Sequence, residues 1–343
     1  RYAFMNKSQF LNLTRRKEAG KVNRHRHHSY IILQALADEL DVRSGLRPIR
    51  VSKITDPGAK GFWEDLRDSS GRTLRLRRIS NPKDPAIKGI HTLLCKRFTE
   101  DTADTLETIQ TDSADRDVAY FVIQEKGGDP GKVLALINVY VLPLGTGKLQ
   151  LFIGYVATEH TEEGKGLAAR LYRAACLFFM RRAEVMAREA FAIVGEMVET
   201  VEEFFLRIGG CRRVYVEMPN GMIIEIIYMQ PPVDFDKKTG KPLTKPVPEH
   251  LMIRLVDYGA ELTVADILEI VWSIYESYFF DEEDFESAEA YRRHCDFIIG
   301  MFEDFKKSLP DTSAKVFMMN HTIRTGMARE LELSGGKLIE VKT

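Results

Sequence analysis

No apolar run in these 343 residues approaches the roughly 20 needed to cross a bilayer, so no membrane partner is expected. The first 30 residues are too basic and too interrupted for a secretory leader, which leaves a cytoplasmic location as the expectation. Cysteine is scarce. Cys95, Cys176, Cys211 and Cys295 lie far apart with no C-x-x-C pair, the pattern of a reduced protein and not of a disulfide framework. Net charge is also nearly absent, with 49 basic against 50 acidic residues, so no global field points to nucleic acid, and nucleic acid is not expected as a partner. No internal repeat is visible.

One local exception to the charge balance runs from Arg15 to His28, RRKEAGKVNRHRHH, ahead of an apolar helical pattern through Ile31, Ile32, Leu33, Leu36 and Leu40. It reads as a solvated arm leading into a packed helix. A contact with phosphates, as in binding to RNA, is the alternative, but aromatic interleaving is missing. Its histidines have no carboxylate or cysteine at ligand spacing, so no metal is expected.

The chain then divides into three parts. Residues 1–70 comprise the arm, the helix and an irregular connector punctuated by Gly45, Pro48, Pro57, Gly58 and Gly61. Residues 71–260 read as one domain. Alternation over 73–79 predicts a half-exposed strand, and the turn at Asn81–Pro85 leads to a helix carrying Ile87, Ile90, Leu93, Leu94 and Phe98. Three apolar runs, 118–124, 133–141 and 149–156, are separated by glycine- and proline-rich turns and predict an antiparallel meander. A helix carrying Leu167, Leu171, Ala174, Ala175 and Phe178 leads to a buried-looking strand at 190–195, so it must cross over between parallel strands. A short helix ends at Gly209-Gly210, and a hairpin forms around Pro219-Asn220-Gly221. Residues 261–343 are expected to be a helical extension, starting at a Thr263-x-x-Asp266 capping box and continuing in a second helix up to Pro310. Its helices either cover the domain, lid its cleft or form a homodimer interface.

The feature that carries chemistry is Tyr155-Val-Ala-Thr-Glu-His-Thr-Glu-Glu-Gly164-Lys-Gly166-Leu-Ala168, a strand end followed by a glycine turn and the start of the crossover helix. Two glycines one residue apart let consecutive amides point at one anion, supported by the positive end of the helix dipole. Val156-x-Thr158-Glu159-x-Thr161-x-x-Gly164-x-Gly166 resembles the acetyl-CoA loop of the GNAT superfamily of N-acetyltransferases, and the order of elements over about 72–230 resembles theirs. The resemblance implies an α/β (α+β) fold, a mixed, mostly antiparallel GNAT-type sheet flanked by helices.

It also implies that backbone amides around Glu163, Gly164, Lys165, Gly166, Leu167 and Ala168 hold the pyrophosphate of acetyl-CoA, with Lys165 and Arg170 adding charge. Tyr155, Val156 and Ala157 then pair with the pantetheine arm as an added strand would, with Gly154 as a bulge opening the splay. The implied reaction is transfer of acetyl to an amine of a small molecule or protein by direct attack in a ternary complex. A base is wanted near the splay: Glu196 first, then Glu159 and His160. Two letters depart from the family. The usual Arg or Gln of the loop is Thr161, and the tyrosine that often protonates the leaving thiolate is Phe205, leaving Tyr155, Tyr172 or Tyr228 as substitutes. Phe205 also keeps open a second reading, a non-catalytic acyl-CoA sensor or interaction module of the same fold.

Overall fold

The computed structural model describes residues 19–54, 56–98, 103–145, 147–197, 205–232, 234–257, 260–279 and 282–319, with side chains from Ser29 onward except at positions 197, 207 and 319. The beginning of the basic segment, Arg15 to Glu18, lies outside the described residues. Its remainder is the start of helix α1 (Ala19–Ser44).

Thirteen strands form one sheet, in the order β1-β2-β3-β4-β5-β6-β7-β11-β8-β13-β12, with β9 on β8 and β10 on β11. The expected meander is there: β3 (Thr73–Ile79), β4 (Val118–Glu125), β5 (Ala135–Pro143) and β6 (Lys148–Thr158) pair antiparallel in sequence order. Helix α4 (Leu167–Met186) then crosses over to β7 (Glu189–Met197), which runs parallel to β6. The result is the mixed, mostly antiparallel sheet flanked by helices that the sequence implies.

Two apolar faces follow from the strand period of two. In β4, Ala119, Phe121 and Ile123 point to one side, where α1 and α4 bury Leu33, Leu36, Leu40, Leu171, Ala175 and Phe178. Tyr120 and Val122 point to the other, where α2 (Ala86–Arg97) and α3 (Leu106–Ala114) supply Ile87, Ile90, Leu94 and Ile109. Further along that second side, α5 (Val264–Glu276) and α6 (Ala288–Ser308) cover β7 and β11 (Val247–Leu255) with Ile267, Ile270, Ile274 and Ile298. Gln150 of β6 ties α5 down, donating to Ser273 Oγ at 2.5 Å and to the Ile270 carbonyl at 3.2 Å. Of the three expected arrangements of the extension, this is the covering one. The Thr263/Asp266 capping box is formed in both directions.

Several elements differ from the sequence expectation. The connector carries β1 (Arg47–Val51) and β2 (Trp63–Arg67), which extend the sheet from β3. Helix α3 has no counterpart in the sequence pattern, because Leu106–Ala114 mixes apolar and polar residues without a clear stripe. The hairpin of β8 (Arg212–Glu217) and β9 (Ile223–Glu225) turns as expected at Gly221, φ +79°, but the chain then changes neighbour. Its next strand, β10 (Ile227–Gln230), pairs with β11, and β11 separates β7 from β8. The extension contributes β12 (Leu262–Thr263) and β13 (Lys315–Met319) to the sheet. The short helix before Gly209 is described only as one π-turn, Phe205–Gly209, the rest lying outside the described residues.

Candidate active site

The parallel pair β6/β7 shifts register once, between Leu149 and Gln150, and then runs on to Ile153 opposite Gly195. Past that point β6 stays with β5 alone, through Tyr155, Val156, Ala157 and Thr158, while Glu196 and Met197 of β7 pair with β11. The strands part, and among the described residues no strand pairs with the β7-facing edge of β6 beyond Ile153. Gly154 is the inserted residue: Asn138 faces Tyr155, but Val139 faces Ile153. A Cβ there would stand 2.6 Å from Asn138 Oδ1, so only glycine fits the bulge. Gly195 is equally constrained, since the Phe205 ring fills the space a Cβ would take, at 2.3 Å.

A cleft of about 600 Å³ opens at this splay. Its walls include Ile153, Gly154, Val156 and Glu196 from the strands and Phe205 and Ile208 from the π-turn. The loop from Glu162 to Ala169 lines it along its whole length, beside the end of α1 at Arg43 and Ser44 and the end of α2 at Arg97. Gly164 and Gly166 both take left-handed backbone, φ +73° and +76°. Gly166 caps α4, and no side chain bonds the helix start, so its first-turn amides are the natural donors to an anion in the cleft. The amides of Glu163 and Lys165 are engaged within the loop, by the His160 and Glu162 carbonyls at 3.3 and 3.4 Å. Lys165 lines the cleft, and Arg43 and Arg97, which the sequence did not single out, bring two further cations to the wall.

The loop is braced from below. Glu162 is buried and takes two hydrogen bonds from Arg72, at 2.5 and 3.0 Å, with Lys165 Nζ at 3.3 Å. The hydrogen bonds from Arg72 hold its carboxyl below the usual range.

The other expected site residues divide clearly. Arg170, expected to add charge for the cofactor, is 1% exposed and is held by Asp41 of α1 and by Glu64 of β2, the latter at 2.6 Å. It locks α4 to its neighbours and does not line the cleft. Glu159 and His160 also fall outside the cleft wall, because the 3-10 turn at His160–Glu162 carries them outward to α2. There Glu159 pairs with Lys96 at 2.7 Å, and His160 stands against Arg97 and Glu163. Tyr172 is buried beneath the π-turn, its hydroxyl 3.4 Å from the Gly209 carbonyl, and Tyr228 is buried against Tyr275 and Phe305.

Glu196 is the carboxylate the structure brings to the splay. Burial, with Glu249 nearby, pushes its carboxyl well above the ordinary range, and Oε1 has no hydrogen-bond partner among the described residues. Burial chiefly, and the Glu196 carboxyl after it, raise the hydroxyls of Tyr275 and Tyr278, and Glu196 adds a smaller effect on Tyr155, so all three lie within its electrostatic reach. Tyr155 donates to Asp104 at 3.1 Å, and burial and that carboxylate raise its own hydroxyl further. Tyr278, past the end of α5, accepts from Gln230 at 2.7 Å and so retains a proton to give. Asp104 and Tyr278 were missed in the sequence, one because its stretch shows no pattern, the other because it reads as part of an apolar helix face.

No family model matches the sequence, and no curated protein matches it. Among solved structures the chain is similar to an aminoglycoside acetyltransferase from an uncultured soil metagenomic sample, at 16% identity over 39% of this chain and 82% of that one, TM-score 0.31. It is similar to an acetyltransferase of the GNAT family from Streptococcus pneumoniae, at 12% identity over 53% and 99%, TM-score 0.33. A third is glucosamine-6-phosphate N-acetyltransferase from Arabidopsis thaliana, at 19% identity over 40% and 90%, TM-score 0.30. These likenesses are faint and partial, so the chemistry assigned to the cleft rests on the cleft's own geometry.

Proposed function

We propose that the protein is an acyl-CoA-dependent N-acyltransferase that moves acetyl from acetyl-CoA to an amine by direct attack in a ternary complex. One observation carries this reading. The parting of β6 from β7 and the uncapped, glycine-started helix α4 open onto the same cleft, so a strand-like arm and a pyrophosphate have adjoining seats. The α4 amides, with Lys165, Arg43 and Arg97, take the phosphates. The pantetheine arm runs along the open edge from Tyr155 to Ala157, and the Val156 or Ala157 amide faces the thioester carbonyl as oxyanion donor.

In this reading Glu196 takes a proton from the incoming ammonium, which restores the ionised form of its carboxyl by its own charge as it binds. The freed amine attacks the thioester carbon, the C–S bond breaks, and the proton the nitrogen loses on forming the amide reaches the CoA thiolate through the Tyr278 hydroxyl, which gives one proton and takes up the other, while Glu196 returns its proton to solvent. A thiol near pKa 8.5 needs little acid help, so loss of the family tyrosine at Phe205 is tolerable. Holding both reactants in one cleft supplies much of the rate by orientation. The four free cysteines are in keeping with a cytoplasmic location. The test is thiol release from acetyl-CoA across a panel of amines.

Phe205 favours one other reading, an acyl-CoA sensor without turnover. Tight acetyl-CoA binding with no thiol release on any acceptor is its signature, and turnover lost in Glu196→Gln argues against it.

A further inference from the structure

The sheet face opposite α4 carries a second polar row. Cross-strand partners share a face, so the pairs Tyr120 with Asn138 and Asn138 with Tyr155 set three strands' residues side by side, with Tyr140 two positions along β5. Carboxylates from the α3 region lie over them: Asp104 accepts from Tyr120 at 2.9 Å and from Tyr155 at 3.1 Å, and Asp112 from Tyr140 at 3.0 Å. The row continues on β7 and β11, where Glu196 stands opposite Leu251 and Glu249 lies two residues before it on the same face.

Two facts about this row lack an internal explanation. Asn138 is 0% exposed, and neither its Oδ1 nor its Nδ2 finds a hydrogen-bond partner among the described residues, although buried amides are nearly always satisfied. Glu196 Oε1 is in the same condition. Moreover, the partners of Asp104 and Asp112 are hydroxyls; among the described residues no lysine or arginine offsets the burial of Asp104, Asp112, Glu196 or Glu249. Two pairs of carboxyl groups, Asp104 with Asp112 and Glu196 with Glu249, share this face with no lysine or arginine among the described residues to offset them, beside an amide with neither donor nor acceptor engaged. The complementary ligand is cationic and rich in N–H.

We propose that this row is the acceptor site and that the acceptor is a small aliphatic amine bearing a second cationic group. The reacting nitrogen sits at Glu196 in the splay, the Asn138 Oδ1 accepts from an N–H of the ligand, and Asp104 and Asp112 hold the far ammonium. Paired strands lie about 5 Å apart and β6 and β7 have already parted at Glu196, so β7 and the Asp112 end over β5 are at least about 10 Å apart, a span that a di- or triamine reaches and a single amine does not. The role of this amine as acyl acceptor rests on the acyl-CoA reading; the binding site itself does not.

The test is calorimetry on the full chain without CoA, using 1,4-diaminobutane, spermidine and butylamine at low salt, followed by titration with acetyl-CoA. The di- and triamine are expected to bind at least about tenfold more tightly than butylamine. Asp112→Asn, and independently Asp104→Asn, are expected to erase that difference while the acetyl-CoA affinity is unchanged. Equal binding of butylamine and 1,4-diaminobutane overturns the proposal, as does a difference that persists in both variants. Diamine selectivity without any acetyl-CoA binding sustains this site and removes the acyl-transfer reading alone.

Discussion

Gly166 lies directly against the carbonyl of Ser44: a Cβ built on it would stand 1.9 Å from the Ser44 oxygen. The end of α1 thus fixes the start of α4, and the left-handed backbone at Gly166 is imposed from outside the loop as well as by it. Gly166→Ala combines this collision with an unfavourable φ, and it is expected to cost at least about 2 kcal/mol of stability and to weaken acetyl-CoA binding by tenfold or more. Gly164, also left-handed but with open space around it, is the control: Gly164→Ala is expected to strain the loop with a smaller loss. Chemical denaturation and calorimetry on the two variants check the order.

Arg170 separates a structural cation from a ligand-binding one. Its guanidinium bridges Asp41 and Glu64 away from the cleft, so Arg170→Met leaves half-exposed Asp41 and buried Glu64 with only the longer contacts of Arg173, at 3.7 and 3.5 Å, and is expected to destabilise the fold by about 1.5–3 kcal/mol. The acetyl-CoA affinity of the folded fraction is expected to stay within about twofold of the native protein. A large loss of affinity with intact stability would place Arg170 at the phosphates after all.

Stability is expected to carry a pH signature from Glu249, whose carboxyl is raised by burial from an ordinary 4.5 to about 7. Below pH 4.5 both folded and unfolded chains hold this proton, and it has no effect. Between about 4.5 and 7 the folded chain keeps a proton the unfolded chain releases, so this group makes stability fall as pH rises, until the effect levels off above 7. Asp112, raised by burial to about 6, acts in the same direction up to that pH. Glu249→Gln is therefore expected to gain stability relative to the native protein progressively from pH 4.5 to 7. Urea unfolding of both at several pH values measures the difference, and a gap independent of pH contradicts the assignment.

What the sequence made legible, and what it did not, follows from the range of the interactions. Gly164 and Gly166, the bulge at Gly154 and the crossover by α4 are local consequences of glycine and of apolar spacing, and each lies where the residues indicate. The insertion of β11 between β7 and β8 depends on pairing between residues about 40 to 60 apart, which no local period encodes. Strands β1 and β2 were hidden by the glycines and prolines around them. Arg170 looked like a ligand because it follows the loop, and only the packing of α1 and β2 against α4 reveals its partners. Asp104 and Asp112 sit on and beside α3, whose pattern is too weak to mark it as a helix; their meaning appears only where the sheet brings Tyr120, Tyr140 and Tyr155 to them.

The most direct test of the central claim is steady-state thiol release from acetyl-CoA with a diamine acceptor, run beside calorimetric titration of acetyl-CoA on native protein and Glu196→Gln. Acyl transfer through the splay predicts turnover by the native protein, a drop of about 10²–10⁴ in kcat for the variant, and nearly equal acetyl-CoA affinity in both. Absence of acetyl-CoA binding, or equal turnover by native protein and variant, would contradict it.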